Sequence, residues 1–267
     1  MSTFASRLET GISSASFYPW KNTESSLVNI AAFGCKTVEV FLQTHREYRP
    51  GYLRQLRGLC CQLGLRVNSL HGASTLFEPM LFYDYPRQVQ DSMDMLEVVF
   101  EAAARLKARS YIFHGPLRVA MPEQQKVLPV LIQVAEKAGE YGIRLALENV
   151  SWCIGWEPGV FTWLKGCDIP NLWFTFDNKQ AARSGFSDQQ FIDAMGDKLL
   201  NVHLSDLSDQ GIGLPPGRGE ADFTVIADAL RRQGYANPVI LETYGARVNS
   251  SSELYAGWRH LDRKLNT

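Results

Sequence analysis

The sequence predicts an α/β barrel of eight strand–helix units, folded as a single domain over residues 1–267. Three observations carry that expectation. Eight short apolar runs of strand length recur along the chain, amphipathic stretches with helical spacing separate them, and no linker or low-complexity segment divides the sequence. Hydrophobic residues make up 45% and charged residues 21%, ordinary globular usage that excludes disordered and fibrous chains. An open doubly wound sheet is the alternative architecture. It would call for a glycine-rich phosphate loop after an early strand, and neither a GxGxxG nor a Walker pattern is present.

The predicted strands, in order, are GISSAS (11–16), KTVEVF (36–41), LRVNSLHG (65–72), RSYIFHGP (109–116), IRLALENV (143–150), NLWFTFDNKQA (171–181), LLNVHLSD (199–206) and NPVILETYG (237–245). Most carry Val, Ile, Thr or aromatic residues, which suit a pleated, half-buried surface. Between them, Met93, Leu96, Phe100, Ala103 and Leu106 form one stripe of a helix over 86–107. Leu128, Leu131, Val134, Ala135 and Ala138 repeat the pattern over 127–141, with Pro129 expected in the first turn or at a kink. Gly34, Gly64, Gly142 and Gly234 each stand just before a strand, where helix ends favour a left-handed glycine.

The charges nearly cancel: 27 Lys and Arg against 28 Asp and Glu, a net of −1. No basic field is available to hold nucleic acid by phosphate neutralisation. Five cysteines, an odd number with Cys60 and Cys61 adjacent and no CxxC pair, fit reduced thiols better than a disulfide framework or a thiolate zinc site. The opening MSTFASRLETG lacks an apolar signal core, and no run approaches the ~18 apolar residues of a membrane span. The expectation is a cytoplasmic protein with no membrane partner.

The functional signal lies in where acids and histidines fall. Glu39 is in the second strand, His71 ends the third, His114 the fourth, Glu148 the fifth and Asp177 the sixth; His203 lies in the seventh and Glu242 ends the eighth. In a closed barrel these ends meet at the rim where the active sites of this fold sit. With strand interiors expected to be otherwise apolar, a carboxylate or imidazole there is costly unless it is paired or binds a metal. A lone strand-end histidine is usually an ordinary hydrogen-bonded residue, but several acids and histidines on one rim, with Lys179 as the one nearby base, point to a metal or acid–base site. Glu148, Asp177, His203 and Glu242 offer a hard, oxygen-rich set suited to one divalent ion: Mn2+ first, with Zn2+, Mg2+ or Co2+ as further candidates.

Other residues have two readings. In GLPPGRGEADF (213–223), Arg218 could reach an anionic or hydroxylated substrate, or the segment is a surface turn into a helix capped by Asp222. Lys179 and Gln180 either contact substrate oxygens or balance the acids. Trp20, Trp152 and Trp156 could wall a pocket at the rim or simply pack. His45 and His260 read as surface residues, and Cys60 and Cys61 as helix packing.

In this order the motifs resemble the xylose-isomerase-like TIM-barrel superfamily. They are GIS, VEVF, FHG, LEN, FD, VHLSD, GRGEADF and ILE, from the first strand to the eighth, and they span nearly the whole chain. The resemblance to its ketose 3-epimerases implies a divalent metal at Glu148, Asp177, His203 and Glu242, with Glu148 and Glu242 also the proton-transfer pair. Those enzymes carry a histidine three residues after the strand-six aspartate, where this chain has Gln180. The superfamily also holds zinc-dependent apurinic-site endonucleases. His71, His114 and Glu148 match one of their zinc sets, but Gln180 and the PPGRGE loop break another, and the charge balance argues against a nucleic-acid partner.

The resemblance therefore implies a metal-dependent sugar or sugar-phosphate isomerase or epimerase. It would abstract a proton beside a carbonyl and pass through an enediolate. His71, His114, Lys179, Gln180 and Arg218 would hold hydroxyls or a phosphate. One ion is expected, because a second at His71 and His114 would have to share Glu148. Two other readings stay open: a one- or two-metal hydrolase or lyase on the same rim, and a binding barrel without turnover. A homo-oligomer is neither required nor excluded.

Overall fold

The computed structural model describes residues 7–72, 77–120, 123–209 and 211–267; the first six residues of the segment searched for a signal core lie outside that set. Strands β1 (Thr10–Ser13), β2 (Thr37–Phe41), β3 (Arg66–His71), β4 (Ser110–Phe113), β5 (Arg144–Glu148), β6 (Leu172–Asp177), β7 (Leu199–Leu204) and β10 (Val239–Leu241) form the closed barrel that the eight repeats predict. All neighbours are parallel, and closure falls between β1 and β10, where Thr10, Gly11 and Ile12 face Val239, Ile240 and Leu241. A Cβ on Gly11 would stand 2.6 Å from Ile240 Cδ1 and 2.8 Å from the Thr37 carbonyl, so only glycine fits this seam.

Around the barrel run α1 (Thr23–Ala32), α2 (Pro50–Gln62), α3 (Pro86–Leu106), α4 (Gln124–Glu140), α5 (Pro158–Gly166), α6 (Asn178–Ser184), α7 (Asp188–Met195), α8 (Phe223–Arg232) and α9 (Ser251–Leu265). The α3 stripe of Met93, Leu96, Phe100, Ala103 and Leu106 is buried, as its spacing demands. The glycines before the next strands are left-handed, with φ of +85° at Gly34 and +64° at Gly64. No helix among the described residues is long and apolar enough to cross a membrane.

Four details differ from the sequence expectations. Pro129 lies inside α4 rather than in its first turn, which leaves the Gln125 carbonyl without its usual helical donor. The sixth apolar run is two elements: β6 stops at Asp177, and the NKQA that follows already belongs to α6. After β7 the chain forms an antiparallel hairpin of β8 (Asp206–Ser208) and β9 (Gly211–Leu214), too short to show a hydrophobic period. Finally, the strand interiors are not uniformly apolar. Asn68 donates to Asn201 Oδ1 at 3.1 Å, and Asn201 Nδ2 reaches Ser110 Oγ at 3.2 Å and Thr175 Oγ1 at 3.3 Å. This buried layer is tolerated because its members satisfy one another.

Candidate active site at the carboxyl-terminal rim

Parallel strands bring every predicted rim residue to one end of the barrel. His71, Glu148 and Asp177 are the last residues of β3, β5 and β6, His114 follows β4, Glu242 follows β10, and Glu39 and His203 lie within β2 and β7. All seven are buried. One ligand atom each from Glu148, Asp177, His203 and Glu242 lie within 4.8 Å of one another. An ion bound at ~2.2 Å to each donor needs donors no more than ~4.4 Å apart, so this set fits a divalent cation with little adjustment.

His203 is oriented for that task. Its Nε2 faces Glu39 Oε2 at 3.0 Å, while Nδ1 faces Glu148 Oε1 at 3.2 Å and Glu242 Oε2 at 3.4 Å. A proton held on Nε2 by Glu39 leaves Nδ1 as the donor to an ion, the carboxylate–histidine–metal relay common in metal sites. Glu39 is itself held by Ser13 Oγ at 3.0 Å and Ser69 Oγ at 2.7 Å. Each of the two glutamates has its own histidine besides His203. His71 Nδ1 is 3.2 Å from Glu242 Oε1, His114 Nε2 is 3.0 Å from Glu148 Oε2, and the two Nε2 atoms are 3.1 Å apart.

Mutual contact overrides burial here. Burial pushes His71 down, but hydrogen bonds to Glu242 and Glu39 raise it to about 10. Burial opposes charge on His203 too, yet the facing Glu39 and Glu242 hold it well above the usual imidazole range. Burial would raise Glu39, but His203 and His71 keep it at about 2. Glu148 and Glu242 are also held well below the carboxylate range against burial, Glu148 by His114 and His203, Glu242 by Lys179 and His203. Asp177 goes the other way. Burial, only partly offset by Lys179 and reinforced by Glu148 and Glu242, lifts it to about 7. Asp177 is thus the one carboxyl of the cluster that burial pushes toward its neutral form, while the other three are each matched by a facing imidazole or by Lys179.

Lys179 enters this cluster directly: its Nζ bonds Asp177 Oδ2 and Glu242 Oε2. A cavity of about 460 Å3 opens above, lined by His71, His114, Glu148, Lys179, Gln180 and Glu242, with Tyr18, Phe41, Val150, Trp152 and Tyr244 as an apolar wall. Gln180 accepts from Ser151 Oγ at 3.1 Å. Arg218 lies outside this lining. Its guanidinium pairs with Glu253 at 2.9 Å on the exposed surface, because the loop is held the other way by Asp206. The Asp206 carboxylate accepts from the Gly217 and Gly219 amides at 2.8 Å and from Ala221 at 3.0 Å. Asp222 caps α8, as the surface-turn reading expects. Of the three tryptophans, Trp152 lines the cavity, whereas Trp20 packs on Phe17 and Trp156 on Phe186 and Arg118.

Sequence reasoning assigned no role to four further residues. Glu39 was visible as a strand acid, but its bond to His203 spans the barrel. Glu78 supports His114 from beneath, accepting from the His114 and Gly115 amides at 2.7 and 3.1 Å and from Tyr111 Oη at 2.6 Å. Nothing in the local sequence signals this. Thr243 and Tyr244 border the cavity, and their hydroxyls are buried with no hydrogen-bond partner among the described residues. Their place directly after Glu242 was the available clue.

Comparison with known proteins agrees with this architecture. A 3-dehydroshikimate dehydratase of Pseudomonas putida is 24% identical over 229 residues, 80% of this chain but 35% of that protein. The chain thus spans about a third of that relative's length. A D-psicose 3-epimerase from Clostridium cellulolyticum H10, solved with D-tagatose, superposes with a TM-score of 0.81 at 15% identity, covering 97% of this chain and all of that one. The IOLI protein, solved with a bound zinc atom, superposes with a TM-score of 0.80 at 15% identity, covering 97% of this chain and 98% of that one. At these identities the superpositions establish the fold alone. The family model described as xylose isomerase-like TIM barrel matches residues 27–264, and the chain belongs to that family.

Proposed function

We propose that the chain is a divalent-metal-dependent isomerase or epimerase that moves a proton beside the carbonyl of a small sugar or sugar phosphate. The observation that carries this reading is the pair Glu148 and Glu242. They enter one cavity from β5 and from the end of β10, each with its own histidine and each with an oxygen on His203 Nδ1. One glutamate takes the proton from the carbon next to the carbonyl, and the other returns a proton to the opposite face. A divalent ion held by Glu148, Asp177, His203 and Glu242 would polarise the substrate carbonyl and adjacent hydroxyl, lowering the cost of the enediolate. Mn2+ is the first candidate, with Zn2+, Mg2+ or Co2+ behind it, and one ion per chain is expected.

The remaining lining serves binding. His71 and His114 would donate to substrate oxygens, and the Gln180 amide at the cavity wall suits a hydroxyl. Tyr18, Phe41 and Trp152 offer an apolar face and keep water from the reacting carbon. Arg218, paired with Glu253, lies outside the cavity lining.

A second reading has support in the 3-dehydroshikimate dehydratase relative. A dehydration starts with the same proton abstraction but ends by expelling a neighbouring hydroxyl, and His71 or His114 is placed to protonate that leaving group. Incubating a panel of ketoses, ketose phosphates and cyclic hydroxy ketones with the metal-loaded chain separates the two. Inverted centres indicate epimerisation; loss of water with a new double bond indicates dehydration. The two-metal hydrolase reading predicts two equivalents of metal, one lost in His71→Ala. The single-ion reading predicts that His71→Ala keeps its one equivalent.

A further inference from the structure

Lys179 stands where the donor set would hold its ion. Its Nζ bonds Asp177 Oδ2 and Glu242 Oε2, contributed by two of the four donor residues. The fold places it there. Asp177 ends β6 and caps α6, and its Oδ1 accepts from the Lys179 amide at 2.7 Å, so the lysine starts in the helix's first turn and curls back over its own cap. The side chain is 4% exposed, and no other lysine or arginine lines the cavity. The residues outside the described set include no lysine or arginine.

An ammonium and a divalent ion sharing the same carboxylate oxygens would lie within ~4 Å of one another. At that separation, buried from water, their repulsion is strong. We propose that the Lys179 ammonium and the divalent ion are alternative occupants of one position. The lysine neutralises Asp177 and Glu242 when no metal is present, and it must withdraw into the cavity before the ion binds. The inference rests on the metal-dependent reading above and adds that the chain carries its own competitor for the site. Withdrawal has a destination, because Lys179 already borders the cavity. The metal affinity of this barrel is therefore lower than its four donors alone would give.

The test is a Mn2+ titration of the metal-free full chain and of Lys179→Met, which keeps the apolar stem and removes the charge. The variant should bind one Mn2+ roughly tenfold tighter or more. Thermal unfolding gives an independent readout. Without metal the variant should melt below the wild type, since two buried carboxylates lose their cation, and excess Mn2+ should raise its Tm by more than it raises the wild type's. If the variant cannot be kept metal-free, it is purified with Mn2+ and titrated backwards with a chelator of known affinity, which yields the same constant. A wild type that binds Mn2+ with a variant that binds no tighter overturns the competition alone. Failure of both proteins to bind any of Mn2+, Zn2+, Mg2+ and Co2+ overturns the competition and the metal-dependent reading together.

Discussion

The two ends of the barrel both carry charge, and they handle it differently. At the amino-terminal end two acids near the surface are each held by one arginine and one threonine. Glu9 pairs with Arg66 and Thr37, and Asp262 pairs with Arg7 and Thr10, the two Asp262 contacts both at 2.9 Å. At the carboxyl-terminal end the acids are buried and share partners: Glu242 meets His71, His203 and Lys179, and Glu148 meets His114 and His203. A fold needs only the first arrangement. Four buried carboxylates around shared imidazoles are costly to keep unless something is received there. Within one barrel, then, one end gives its acids separate partners, and the other crowds them around shared imidazoles, at the rim where this fold carries its active sites.

Substitutions on each end sharpen that contrast. The largest effect is expected for Glu148→Gln and Glu242→Gln, each lowering turnover by roughly 10^3-fold or more if proton transfer is their task. Circular dichroism and thermal unfolding should show both variants folded, whereas Glu9→Gln at the opposite end should leave turnover unchanged. Full activity in either rim variant would erase the distinction between the two ends.

Next in size is Glu39→Gln. The amide keeps the volume but no longer fixes the His203 proton, so metal affinity should fall about 10- to 100-fold in a Mn2+ titration. An unchanged affinity would reduce Glu39 to packing. Asp206→Asn, with its NH2 in place of Oδ2, removes the acceptor shared by the Gly217 and Gly219 amides and should cost ~1–3 kcal/mol, seen by urea unfolding together with faster hydrogen exchange at those two glycines. The smallest effect belongs to Arg218→Ala. Its exposed pair with Glu253 is worth about 0–1 kcal/mol, and turnover should stay within about twofold of the wild type.

Strand-end chemistry was legible because a strand's last residue announces itself: an apolar run stops at His71, Glu148 or Asp177, and closure then determines that they meet. What was not legible depends on contacts across the barrel or on backbone acceptors. The Glu39–His203 bond joins residues 164 apart, and Lys179 reaches Glu242 63 residues away. No local pattern encodes either contact. Arg218 was within reach of a substrate on one of the two readings of its loop, the other being a surface turn. The Gly217 and Gly219 amides on either side of it bond Asp206, and the arginine faces outward. The hairpin of β8 and β9 escaped notice for the related reason that three or four residues are too few to display a period.

The central claim is that Glu148 and Glu242 move a proton on a carbon beside a carbonyl. Deuterium incorporation tests it most directly. Ketoses, their phosphates and cyclic hydroxy ketones are incubated with the Mn2+-loaded chain in deuterated water and followed by proton NMR. The account predicts that at least one substrate takes up solvent deuterium at the carbon next to its carbonyl, and that Glu148→Gln and Glu242→Gln abolish the uptake. No exchange with any substrate in the set, or exchange that persists in both variants, would contradict it.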